Sequence, residues 1–361
     1  MICCIECFKD KEVRAAIELI GHKGNCSICG EKNTWIYNSD FDKDNSSVED
    51  MLGSILEIYV PDSELPCSYP DKDKLNIAER LYKEWNIFSG TLQGINEIVK
   101  GVVENSLFLS EKLLTETVGV PQLYDEEYLL KYSIMRNHSW SEFKKSLRDV
   151  NRFHNNYINL EILGEILQTA KIFIPVGEKF YRARISNEKG SKGFARKDMW
   201  APPDGVASPG RANSKGQSCL YLSKKKKTTV KEIRAHAFDY VTIATFKIIQ
   251  EIKVLDLCSI THNSPFYANT DKIAYWVNER ILKAIENDLA KPMSRWDSEL
   301  DYLPTQYISD FAKACGYDGV RYFSTFDRDV YNIALFNSNA CVCTYHRNFL
   351  VGDLDYKLSA V

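Results

Sequence analysis

Phe180-Tyr181-Arg182-Ala183-Arg184-Ile185 reads as a β-strand, and its surroundings decide the fold class. Side chains alternate across a strand, so Arg182 and Arg184 fall on the same side, two residues apart. Upstream, from about residue 47 to residue 170, the apolar period is helical. After Ile174-Pro175 the texture changes to short β-type runs separated by Gly, Pro and Ser loops. Residues 219–222, 241–248, 252–257 and 333–336 read as further strands. Helical segments sit between them, over 229–237, 271–285 and 307–314. Strands interspersed with separate helices predict an α+β domain over 172–361.

Polar residues are distributed oddly for a mere core here. Met199-Trp200-Ala201-Pro202-Pro203 is followed by Gly210-Arg211-Ala212-Asn213 and Gly216, a loop rich in backbone freedom. Leu220-Tyr221-Leu222-Ser223 comes next, then Glu232, and Gly316-Tyr317-Asp318-Gly319 leads on to Tyr322 and Ser324. Asn332-Ile333-Ala334-Leu335-Phe336 closes the pattern. Each residue has a plain structural reading. A strand arginine is salt-bridged or solvated, and a strand tyrosine is core with a satisfied hydroxyl. Glu232 in Lys231-Glu232-Ile233-Arg234 reads as surface, and Ser324 near a turn as a cap. The Lys224–Lys227 run reads as a solvated loop, with phosphate binding as the alternative.

The helical stretch, 41–171, predicts a bundle. Ser47 with Asp50 suggests an N-cap, after which Val48, Leu52, Ile55 and Tyr59 fall on one face. Trp140, Phe143, Leu147 and Val150 repeat the pattern, as do Ile158, Ile162, Leu163, Ile166, Leu167 and Ala170. Pro61, Pro66, Pro70 and Pro121 mark loops. Arg148 and His154 have the types and order of a ribonuclease pair, phosphate-binding Arg and proton-transferring His, but the spacing is common in helical regions.

Five of the eleven cysteines lie in the first thirty residues. Cys4-x2-Cys7 and Cys26-x2-Cys29 form two turns, each presenting two thiolates, and together they match a structural Cys4 zinc site. Gly24 and Gly30 flank the second turn, Val13, Ile17 and Ile20 suggest a helix between the turns, and Trp35-Ile36-Tyr37 suggests a strand after them. Cys3 competes with Cys4 as ligand, and His22 could stand in for a cysteine; the alternative is a set of reduced, buried thiols. Residues 1–40 are thus expected to form a zinc-knuckle module. Four thiolates saturate the ion, which makes the site structural rather than catalytic. A nucleic-acid-binding finger lacks support, because no basic or aromatic stripe follows.

Composition frames these readings. The chain has 361 residues, 44% hydrophobic and 26% charged, with a formal net charge of -3. That is the composition of a globular protein of about two domains, not of a rod or a disordered chain. Near-neutral charge argues against a polyanionic partner such as nucleic acid or an anionic membrane. No apolar run reaches the length of a membrane span, and no basic n-region with an h-region opens the chain, so the cytoplasm is the expected compartment.

The blocks Phe180-Tyr181-Arg182, Gly210-Arg211-Ala212-Asn213 with Gly216, Leu220-Tyr221-Leu222, Glu232 and Asp318-Gly319 leading to Ser324 resemble the RES domain. The N-terminal half, with its cysteine knuckles, Ser139-Trp140-Ser141-Glu142-Phe143 and Asn151-Arg152-Phe153, resembles the HEPN/RES N-terminal region. The first resemblance implies an ADP-ribosyltransferase-like fold that cleaves NAD at the nicotinamide–ribose bond, in a bacterial toxin held in check by an Xre-like antitoxin. It implies roles for Arg182 on pyrophosphate or ribose, Tyr221 at the nicotinamide ribose, Glu232 opposing the developing cation, and Ser324 on nicotinamide or its ribose. Arg211, Asn213 and Tyr181 are the further substrate-binding candidates. Ala183 and Ala212 stand where many RES proteins carry aromatics. Transfer of ADP-ribose to a macromolecule is the alternative within the fold; a HEPN ribonuclease or a zinc nucleic-acid module is the alternative outside it.

Overall fold

The structure is a computed structural model that describes residues 1–45, 47–186, 192–258, 260, 264–266, 271–291, 298–327 and 329–352. It divides into two compact units, residues 1–137 with 264–279 and residues 138–263 with 280–361.

The first unit begins with a small antiparallel sheet in which β3 (Thr34–Asn38) lies between β1 (Ile2–Cys4) and β2 (Lys23–Gly24). Helix α1 (Lys11–Ile20) connects the cysteine turns as its apolar spacing predicts. Asp10 caps it by accepting the N–H groups of Glu12 and Val13, Gly21 ends it at φ 80°, and Val13 and Ile17 are buried. Three more helices, α2 (Val48–Leu56), α3 (Ile77–Glu84) and α4 (Leu92–Asn105), share the same apolar cluster through Leu52, Ile55, Leu81, Ile98 and Val102. Ser47 precedes α2 but its side chain makes no capping bond; its hydroxyl lies 3.6 Å from the Met51 sulfur instead.

The second unit opens with α5 (Trp140–Asp149), started by a capping box between Ser139 and Glu142, and α6 (Leu160–Thr169). Trp140, Phe143 and Leu147 are buried as expected. Val150 is not: the chain has left the helix there, at φ -121° and ψ -70°, and the side chain is 80% exposed.

Eight strands follow: β4 (Lys171–Ile174), β5 (Lys179–Ser186), β6 (Leu220–Ser223), β7 (Tyr240–Ile248), β8 (Ile252–Asp256), β9 (Gly319–Phe323), β10 (Tyr331–Leu335) and β11 (Cys341–Leu350). They form one sheet in the order β11-β7-β5-β6-β10-β9-β8-β4, parallel only between β8 and β9. Among the described residues the helices α7 (Lys226–Glu232) and α9 (Leu303–Ala314) accompany the strands, and α8 (Lys272–Ala290) is divided between the two units after Glu279. The α+β reading therefore holds for this unit. The helix expected over 229–237 is displaced: it starts at Lys226, inside the lysine run, and stops at Glu232. Its continuation is broken by Arg234 and Phe238, at φ 53° and 70°, conformations no helix accommodates. No described helix is long and apolar enough to cross a membrane.

One irregularity positions the site. Strand β5 pairs with β7 along its whole length but meets β6 at a single position, Tyr181 opposite Ser223. Beyond that bridge the two strands part, and the sheet opens a cleft in its middle.

Candidate active site in the opened sheet

The cleft has a volume of about 210 Å³ and is lined by Arg182 and Ala183 of β5, Tyr221, Leu222 and Ser223 of β6, Thr229 and Glu232 from α7 with Ile233 just after it, and Tyr322 and Asn332. Helix α7 packs on β5 and β6, which brings its last residue, Glu232, over the gap. A carboxylate at a helix C-terminus gains nothing from the helix dipole, so it is held by side chains instead. Its Oε1 accepts the Ser324 hydroxyl at 2.6 Å and the Asn332 amide at 2.7 Å. Ser324 lies just past β9 and Asn332 on the adjoining β10, and both are almost fully buried.

Arg182 reaches from the other lip and donates from Nη1 to the Tyr221 carbonyl at 3.4 Å. Among the described residues no carboxylate pairs with it, and its Nε is buried without a partner. Burial and the neighbouring Arg184 lower its pKa to about 10, so it remains a cation at neutral pH. Ser223 Oγ and Asn332 Oδ1 are likewise buried without partners. A guanidinium lacking a counter-ion beside orphaned polar atoms is a site built to receive an oxygen-rich anion.

Tyr221 forms a wall. Its hydroxyl donates to Asn213 Oδ1 at 2.7 Å and accepts the Ala212 N–H at 3.0 Å, and burial pushes the phenol well above its usual range. The loop 210–213 depends on this contact: a Cβ at Gly210 would lie 2.4 Å from the Tyr221 oxygen and 2.7 Å from Asn213 Oδ1. Gln306 of α9 pins the loop from behind, donating to the carbonyls of Gly210 and Asn213 at 2.8 and 3.0 Å.

Of the residues expected to act on substrate, Arg182, Tyr221 and Glu232 meet in the cleft, and Ser324 joins them through Glu232. Asn213 stands behind Tyr221 with its amide spent on the carbonyls of Ser208, Ser214 and Gln217. Arg211 lines a neighbouring cleft. Tyr181 is not among the lining residues; it packs with Ala183, Val241 and Ile243, under the Lys226 ammonium at 5.4 Å from its ring. Lys224 pairs with Glu178, and no member of the lysine run lines the cleft. Asn332 and Tyr322 stood in the polar pattern of the sequence without an assigned role, and Gln306 was not read from it. For Asn332 a signal existed, an amide leading the apolar run Ile333-Ala334-Leu335. Arg148 of the ribonuclease alternative is forked on Asp149 at 2.9 and 3.3 Å, and His154 is exposed, its backbone N–H given to Asn151.

In the first unit the four expected cysteines converge. Their sulfurs lie within 4.8 Å of one another: Cys4 to Cys7 is 3.9 Å, Cys4 to Cys29 is 3.4 Å and Cys7 to Cys26 is 3.6 Å. A tetrahedron with Zn–S bonds of about 2.3 Å has edges of roughly 3.8 Å, so this donor set fits a tetrahedral ion. The N–H groups of Ile28 and Cys29 point at Cys26 Sγ, both at 3.4 Å, as a tight knuckle requires. Gly30 turns the chain at φ 77°. Cys3 is buried outside the cluster, paired across the sheet with Tyr37, and His22 is taken by Asp42 at 3.0 Å.

A model of the RES domain matches residues 179–358, a span that begins with β5 and contains every residue lining the cleft. Residues 179–358 are a RES domain. The chain is also similar to a solved chain described as "Crystal structure of the M.tuberculosis MbcT-MbcA toxin-antitoxin complex", at 13% identity and a TM-score of 0.31, covering 52% of this chain and 91% of that one. Comparison with curated proteins finds no match.

Proposed function

We propose that the RES domain cleaves NAD between nicotinamide and ribose, and that the protein thereby acts as a toxin or defence effector. One observation carries the reading. A single cleft holds an arginine without a counter-ion and a carboxylate fixed by two neutral donors. Membership of residues 179–358 in the RES family supports NAD as the substrate and an antitoxin as the partner class.

In this reaction the C1′–N1 bond breaks and its electron pair moves onto the ring nitrogen, giving neutral nicotinamide. The ribosyl carbon, now with oxocarbenium character, takes the oxygen of water or phosphate, which gives up a proton. Glu232 lies where a negative group opposes that developing charge and accepts from a ribose hydroxyl. Arg182 grips phosphate oxygens with its unspent N–H donors. With its hydroxyl committed to Glu232, Ser324 serves to position that carboxylate, and Tyr221 offers its ring rather than its occupied hydroxyl. Zinc is the proposed ion of Cys4, Cys7, Cys26 and Cys29, a structural metal that takes no part in this chemistry.

The test is nicotinamide release from NAD by the purified protein. Glu232→Ala and Arg182→Ala are each expected to lower kcat/KM by about 100- to 1,000-fold, the scale of losing one preorganised electrostatic group, with circular dichroism unchanged. Undiminished turnover in both variants overturns the proposal. ADP-ribose recovered on a co-incubated macromolecule instead of free in solution would assign transfer.

A further inference from the structure

A second cleft, of about 320 Å³, lies within the same unit. Its α5 wall is a single helical stripe, Ser141, Lys144, Lys145 and Arg148, spaced three and four residues apart. Opposite stand Arg211 and Lys291. Two carboxylates, Asp288 and Asp301, also line it, and both are engaged: Asp288 pairs with Lys144 at 3.0 Å, and Asp301 accepts the Ser298 N–H at 2.8 Å. Arg148 is forked on Asp149. Arg211 spends one N–H on the Leu289 carbonyl at 2.6 Å. Among the described residues neither Arg211, Lys145 nor Lys291 has a carboxylate partner, so the cleft carries uncompensated positive charge.

The two clefts share a wall. Arg211 follows Gly210 in the loop that grips the Tyr221 hydroxyl. Tyr322, a lining residue of the first cleft, is pushed up by burial and Glu232 and drawn back by Arg211, so it feels both sites. Size points the same way. The first cleft falls below the roughly 300 Å³ at which pockets for drug-sized ligands begin, and a dinucleotide needs more.

We infer that the basic cleft between α5 and Arg211 takes the adenosine-phosphate half of the dinucleotide, whose nicotinamide-ribosyl phosphate half lies against Arg182 and Glu232. The inference rests on the NAD reading and adds a substrate contact from α5, a helix outside the span matched by the RES model. Lys145 and Arg148 meet the phosphate on the adenosine side, and Tyr302 and Leu300 supply apolar surface for the base.

The test is calorimetric titration of the full chain with ADP. The wild type is expected to bind ADP, and Lys145→Glu and Arg148→Glu to weaken it by about tenfold or more, which is ~1.4 kcal/mol. KM for NAD should rise by a similar factor while kcat stays within about twofold, and the preference for NAD over nicotinamide mononucleotide should shrink. Far-UV circular dichroism checks that α5 persists. No ADP binding by the wild type, or equal ADP affinity in wild type and both variants, overturns the inference. Absence of nicotinamide release by the wild type would instead overturn the NAD reading, and the ADP titration would still judge the cleft.

Discussion

The cysteine cluster and the Glu232 cleft are both knots of polar side chains, and they differ in what is left over. Around Cys4, Cys7, Cys26 and Cys29 every sulfur has another within 4.8 Å, and the donor set is complete for one tetrahedral ion. In the cleft, Arg182 Nε, Ser223 Oγ and Asn332 Oδ1 are buried with nothing to bond. Each such orphan costs about 1–3 kcal/mol, which a fold tolerates where a ligand completes the bonding. A closed set of ligands holds a structure together; an open set waits for a substrate.

The largest effect should come from breaking the closed set. Wild-type protein is expected to carry one zinc per chain by atomic absorption, and Cys7→Ser close to none. Because metal binding to such a site is itself folding free energy, the first unit should melt lower by more than about 5 °C. Metal-free wild type with an unchanged melting profile would show that the cluster is merely packed thiol.

The same contrast explains what was legible beforehand. The cysteine module could be read locally, because two C-x2-C turns, the spacing Val13/Ile17 and the β-run Trp35-Ile36-Tyr37 all act within forty residues. Five of the eight strands of the second unit were legible from their apolar runs, and β4, β9 and β11 were not read as strands. The order of the strands was not legible, since sheet pairing joins residues as distant as Tyr221 and Ala334. The cleft depends on that order. Arg182, Tyr221, Glu232 and Ser324 were found through a family resemblance, as each alone passes for a surface or core residue. Asn332 stood in the pattern without a role because its bond to Glu232 spans 100 residues, and the bonds of Asn213 to nearby carbonyls likewise leave no trace in composition. The end of α7 at Glu232 was misplaced for a backbone reason, the positive φ of the non-glycine Arg234.

A middle-sized effect tests whether the open set is held as described. Asn332→Leu removes one of the two donors that fix Glu232 and keeps the volume. It is expected to lower kcat by roughly 10–100-fold with KM within about twofold, since a misplaced carboxylate weakens the transition state more than binding. Steady-state kinetics with NAD checks this. A rise in KM alone would make Asn332 a substrate contact and move it to the other side of the comparison.

The smallest effect runs against intuition and is the most direct measure of an unsatisfied site. Burial and Arg184 lower the Arg182 pKa from its ordinary value to about 10, so the folded protein disfavours the charged form that it carries at neutral pH. A base with a depressed folded pKa destabilises the fold at every pH below that value, and the penalty is relieved only as pH rises above about 10 towards the unfolded value. Arg182→Met, of similar reach and without charge, should therefore raise the melting temperature, by about 2–4 °C for each kcal/mol recovered in a unit of this size. The gain should be constant between pH 6 and about 9, and it should fade above about pH 10. Nicotinamide release should be lost at the same time. Calorimetric melting of both proteins across this pH range decides the matter: a variant less stable than wild type at pH 7 would mean that Arg182 is a structural arginine whose interactions stabilise the fold, and the cleft would then lose its claim to be an open site.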